Sequence, residues 1–132
     1  GEFTQSCRYA LQSILFGEEF ADAAQALGDI ARTDMRHMLM LGRLIRLLGG
    51  DPRYGHYRGG RFVPWSGSYV EEGRDIKRTL LSDIDGKNKT AAFLRATADG
   101  VENEQVAHAL ARIVLDEDEH IRLLTLLYEK YK

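Results

Sequence analysis

The sequence predicts an all-α fold, an antiparallel four-helix bundle with a long crossover between the second and third helices. Two observations carry that prediction. Apolar residues recur at alternating intervals of three and four through most of the chain, the spacing that turns one helix face toward packed neighbours. Between the second and third periodic segments lies a stretch from Gly49 to about Tyr69 that holds both prolines and no periodic apolar face, a connection too long for a compact domain unless it has a job. No strand-like alternation of useful length is seen. The 132 residues suffice for one domain, 1–132, that buries its own core without cross-links.

The first helix is expected over residues 2 to about 16, with Phe3, Ala10, Ile14 and Leu15 available for packing. Glu2, Ser6, Tyr9, Ser13 and Phe16 form an adjoining, more polar stripe. Gly17 with Glu18 and Glu19 marks a short connection, acids being favourable near the next helix's start. Short connections make antiparallel neighbours. The second helix, roughly Phe20 to Leu48, stops at Gly49-Gly50-Asp51-Pro52. The crossover that follows is expected to let the halves run up-down and then up-down again. A third helix is predicted from about Glu71 to Ala98, with Leu80, Ile84, Ala91, Leu94 and Ala98 on its apolar face. Asp99-Gly100 breaks it, and a fourth runs from about Val101 to the end.

Two of these seams contain ionisable residues. On the fourth helix the repeat reads Val106, Leu110, Ile113, Glu117, His120, Leu124, Leu127; on the second it reads Leu27, Ile30, Asp34, His37, Leu41, Leu44, Leu48. An acid and a histidine three positions later point the same way on a helix. Asp116, Asp118 and Glu119 fall on the other faces, where solvated charge is expected. Burying an unpaired carboxylate costs several kcal/mol, about 3–5 when a buried partner is removed, so Glu117 and Asp34 need compensation. Two acid-x-x-His pairs facing each other would gather carboxylates and imidazoles around one point, as in di-iron and di-manganese bundles. Position 87 falls on the third seam, and it holds Lys87.

The chain resembles the ferritin-like superfamily, and within it the small bacterial rubrerythrin-like and manganese-catalase-like proteins. The resemblance rests on GEFTQSCRY with Glu2 and Tyr9, IARTDMRH with Asp34 and His37, LLGGDPRY, WSGSYV, and LDEDEH with Glu117 and His120. It implies iron or manganese, one or two ions, with Glu2 as a terminal ligand of the first metal beside Asp34 and His37. Glu117 would bridge, and His120 would serve the second metal. Carboxylates and neutral imidazoles suit both metals. The implied chemistry is redox, peroxidase- or catalase-like, on peroxide or dioxygen, or the oxidation of ferrous iron. Two departures qualify it: Asp34 stands where the family usually has Glu, and Lys87 stands where the third helix should supply one. The ammonium opposes a second divalent cation at close range. Three states therefore stay open: two metals with Asp83 substituting, one metal at the Glu2, Asp34, His37, Glu117 end, or none, with Lys87 neutralising the acids. The charge argument favours the last two. In the last case the chain is a degenerate, metal-free bundle serving as a structural or partner-binding module.

Other classes find less support. A formal charge of -2 gives no general argument for nucleic acid or an anionic membrane. Arg53, Arg58 and Arg61 alternate with Tyr54, Tyr57, Phe62, Trp65 and Tyr69 in the crossover, a mixture that can bind single strands. The stronger reading is a loop pinned on the bundle by its aromatics, with its arginines paired to acids. Tyr, Trp and Arg also suit an interface, and a homodimer is expected. One cysteine, Cys7, excludes intramolecular disulfides, and no apolar run approaches a bilayer span. With no leader evident, a soluble, cytoplasmic protein is expected. Met35, Met38 and Met40 read as packing, and His56 and His108 lie off the seams.

Overall fold

The computed structural model describes residues 2–53, 55–66 and 75–132, apart from the side chains of Glu2, His56 and Tyr57. Four helices form the bundle: α1 (Glu2–Leu15), α2 (Ala21–Leu47), α3 (Ile76–Gly100) and α4 (Glu104–Tyr131). A β-hairpin, β1 (Gly55–Arg58) and β2 (Arg61–Pro64), stands in the crossover. The hairpin was not expected from the sequence. Its strands are four residues each, too short for a readable alternation, and it depends on Gly59 and Gly60, both at positive φ, which make the two-residue turn.

The helix ends have local causes. Gly49, at φ +83°, donates to Arg46 O and Gly50 to Ile45 O, so the last carbonyls of α2 are satisfied by a left-handed glycine cap. Asp75 caps α3 by accepting from the Arg78 amide at 2.9 Å. Asn103 caps α4 by accepting from the amides of Gln105 and Val106. Residues 71–74, where the third helix was expected to begin, lie outside the described residues. The fourth helix starts three residues later than its apolar pattern suggested, because Asn103 sets the boundary.

Paired contacts fix the directions. Ser6 Oγ donates to Ala31 O and Ser13 Oγ to Ala24 O, so α1 and α2 are antiparallel. Gln5 reaches Thr90 and Gln12 reaches Asp83, so α1 and α3 are antiparallel too. His37 meets Asp116 while Asp22 meets Lys130, giving the same sense for α2 and α4. It follows that α2 and α3 run in the same direction. The order is up, down, down, up, which corrects the expected up-down repeated twice. The crossover must therefore climb the bundle, and α2 alone, with 27 residues, is about 40 Å long. On the way it is pinned to α1: the Trp65 indole donates to Thr4 Oγ1 at 2.9 Å, and its ring meets Phe3 edge-on at 4.4 Å.

The inward face of α1 is also a correction. Tyr9, Phe16, Ser6 and Gln12 are buried, whereas Ala10, Leu15 and Ile14 are exposed, the last at 77%. The more polar stripe turns inward because Ser6 and Gln12 find partners inside. Along the bundle the apolar core divides in two. Tyr9, Phe16, Leu27, Ile30, Ala31, Leu80 and Leu124 pack at one end. Leu94, Leu110, Ile113 and Val114 pack toward the other, with Leu41 and Val106 against them. Leu48, expected in the seam, is exposed, since α2 outruns its neighbours there. The acid and histidine positions fall between the two cores.

Candidate metal centre and its buried lysine

Each inward charge is placed by its seam. Asp34 and His37 come from α2, Lys87 and Asp83 from α3, Glu117 and His120 from α4, and all six are buried. Lys87 is fully buried, and its Nζ lies 2.8 Å from both oxygens of Asp34, 3.1 Å from Glu117 Oε1 and 2.9 Å from Oε2. One ammonium thus holds two carboxylates from two other helices. The two histidines flank them. His37 Nδ1 is 3.7 Å from Asp34 and 3.7 Å from Glu117, and His120 Nδ1 is 3.7 Å from Asp34.

Asp83, weighed as a substitute ligand, is turned to other partners. Gln12 Nε2 donates to it at 3.1 Å, and Arg8 Nε approaches to 3.6 Å. Between these two clusters lies Tyr9, fully buried, with Lys87 Nζ 5.1 Å from its ring centre. Its hydroxyl is buried, with Arg8 the cation beside it. Burial first, then the charges of Asp83 and Asp34, push that hydroxyl far above its ordinary range, so it stays protonated.

Sequence reasoning missed Asp116. It was placed on a solvated face, yet His37 Nε2 lies 2.8 Å from its carboxylate, with Arg112 at 2.9 Å on the other side. Being one residue before Glu117 carries it to the edge of the seam, where His37 can reach it. Burial would raise the Asp116 carboxyl, but the His37 hydrogen bond and the Arg112 charge hold it below its usual value. Glu117 behaves alike: burial raises it, while His37 and Lys87 together hold it down. His120 goes the other way for a base. Burial, then the Lys87 charge, lower its imidazole to about 4, so it is neutral at pH 7.

Asp34, His37 and Glu117 present ligand atoms that all lie within 4.8 Å of one another, a group that could hold a metal ion. A two-metal centre does not fit. The third helix offers an ammonium at the ligand position, and its other inward acid is engaged by Arg8 and Gln12. The oxygens a first metal would use are those Lys87 already contacts. Glu2 lies at the start of α1, but its side chain is outside the described residues. His120 stands beside Asp34 rather than within the three-residue group.

No protein-family model matches the sequence, and no curated protein matches it. Among solved structures, the crystal structure of the wild-type manganese catalase KatB from Anabaena is similar, with a TM-score of 0.79 and 21% identity over 99% of this chain. This chain spans 66% of the catalase's length. The likeness shows the ferritin-like all-α bundle as the fold of this chain. No helix among the described residues is long and apolar enough to cross a membrane.

Proposed function

We propose that this chain is a ferritin-like bundle whose buried site is neutralised from within, and that it serves as a structural or partner-binding module rather than as a two-metal oxidoreductase. The observation that carries this reading is Lys87, whose ammonium is within 3.1 Å of Asp34 and Glu117 at full burial. Three buried acids, Asp34, Asp83 and Glu117, face two cations, Lys87 and Arg8, so the interior is close to balance before any ion enters. Adding a dication beside an ammonium would be strongly unfavourable. The first partner on this reading is a second copy of the chain, and the exposed apolar stripe of α1 around Ile14 supplies a surface for it.

A second reading is favoured by the convergence of Asp34, His37 and Glu117. It places one iron or manganese ion there, with Glu2 and His120 as further ligands, and assigns redox work on peroxide, dioxygen or ferrous iron. Lys87 would have to leave its carboxylates for that site to form.

Metal per chain separates the readings, measured by mass spectrometry on protein purified without chelators and again after anaerobic loading with Fe(II) or Mn(II). The first reading expects little metal in both samples and a gain in Lys87→Glu. One tightly held ion per native chain, with peroxide turnover, would establish the second. Two ions would sink both and restore a dinuclear centre.

A further inference from the structure

The contacts of Lys87 also have the form of a reactive pair. Its Nζ stands at an equal 2.8 Å from both oxygens of Asp34. That centres the nitrogen on the carboxyl group and brings the carboxyl carbon to about 3 Å, a near-attack distance. Glu117, from a third helix, touches the same nitrogen through Oε1 at 3.1 Å and Oε2 at 2.9 Å. The side chains of all three are fully buried, and Nζ lies 5.1 Å from the Tyr9 ring centre. We infer that Lys87 and Asp34 condense to a side-chain amide, with Glu117 carrying the protons, so that α2 and α3 are joined covalently. This rests on the reading in which Lys87, and no metal, neutralises the site.

The step balances without an outside reactant. The ammonium gives one proton, through Glu117, to an Asp34 oxygen, leaving an amine beside a carboxylic acid. The nitrogen lone pair forms the N–C bond. Glu117 then takes a second proton from nitrogen and delivers it to the departing hydroxyl, and the C–O bond breaks to release water. One N–H remains to donate to Glu117, which is a carboxylate before and after; nothing is oxidised or reduced. Two effects drive the condensation. Fixed geometry supplies an effective concentration of about 10⁵–10⁸ M, and the amide removes two charges that are costly to hold away from water. Asp34 and Lys87 are 53 residues apart, with the whole crossover between them. The bond closes that segment into a loop, in a chain whose single cysteine can form no internal disulfide.

The test is the intact mass of the full native chain in denaturing solvent, with metal measured on the same sample. A chain lighter than its sequence by one water is expected. A tryptic digest should show residues 33–36 attached to residues 79–89, uncut at Lys87. Glu117→Gln should restore the full mass and release both peptides while circular dichroism shows its helices retained; should that variant not fold, the native digest decides alone. Native chain nicked by trypsin in the crossover should stay one covalent species in a denaturing gel, and Glu117→Gln should separate into two. A full-mass native chain without metal would overturn the bond and leave the neutralised bundle standing, whereas a full-mass chain holding an ion would overturn both. Water lost within one peptide, as at Asp85-Gly86, would overturn the bond as well. Attachment of Lys87 to residues 113–122 would overturn Asp34 as its partner, and an unaltered bond in Glu117→Gln would overturn the role of Glu117.

Discussion

At the scale of single residues, Lys87 decides how Asp34 and Glu117 can coexist in the interior. Lys87→Met keeps an unbranched side chain, one atom shorter, and removes its charge. Breaking a buried pair typically costs about 3–5 kcal/mol, and a loss of that order is expected in urea unfolding at pH 7. The loss should shrink in acid, where the abandoned carboxyls take up protons. Unchanged stability at neutral pH would mean that another group carries their charge. His120 gives a second prediction. Its pKa is about 4 in the folded chain against an ordinary 6.5, so between those values the unfolded chain binds a proton that the folded chain does not. Stability therefore falls as pH drops from about 6.5 to about 4 and then stops changing on this account, by at most about 3 kcal/mol. Glu117, whose carboxyl is lowered, loses its contribution further into acid. His120→Gln should flatten the upper part of the stability profile and leave the lower part standing.

At the scale of elements, α1 shows what a helical pattern does and does not reveal. The acid-x-x-His pairs of α2 and α4, and Lys87 on α3, were legible because each interrupts an otherwise apolar seam that continues on both sides. On α1 the larger apolar count, Ala10, Ile14 and Leu15, points outward. Its inward face is chosen by hydrogen bonds that the sequence alone does not display, Ser6 to the Ala31 carbonyl and Gln12 to Asp83. Asp116 was missed for a related reason, since its partner His37 comes from another helix. Phe16→Ala should then cost about 3–5 kcal/mol, as for a buried aromatic. If the proposed second copy docks on this face, Ile14→Asp should leave the stability of the single chain within about 0.5 kcal/mol while abolishing that association, read by light scattering on a sizing column. A large loss of stability in Ile14→Asp would mean that its side chain packs inward after all.

At the scale of the whole molecule, the four-helix class and the crossover were readable from periodicity and from the glycine and proline punctuation. The direction of the second half was not. Up-down-down-up and up-down-up-down place the same apolar faces inward, and only contacts between distant residues, such as Gln5 with Thr90, tell them apart. The crossover's attachment is testable at this scale. Trp65→Ala removes both the Thr4 hydrogen bond and the Phe3 contact, and trypsin should then cut at Arg58 and Arg61 faster than in the native chain while the helical content is retained. Unaltered cleavage would show that Trp65 does not hold the crossover down.

The antiparallel arrangement of every packed pair has an electrostatic consequence. Each helix end carries roughly half an elementary charge, positive where it begins and negative where it stops. The antiparallel α3 and α4, of 25 and 28 residues, largely cancel, but α1, with 14 residues against 27 in α2, begins one turn before Ser6, which meets Ala31 in the middle of α2. The positive start of α1 therefore falls near the level of Asp34, where it adds to Lys87 in favouring buried carboxylates. The potential there is written by backbone and side chains together, so that removing the lysine's charge leaves the backbone's share standing.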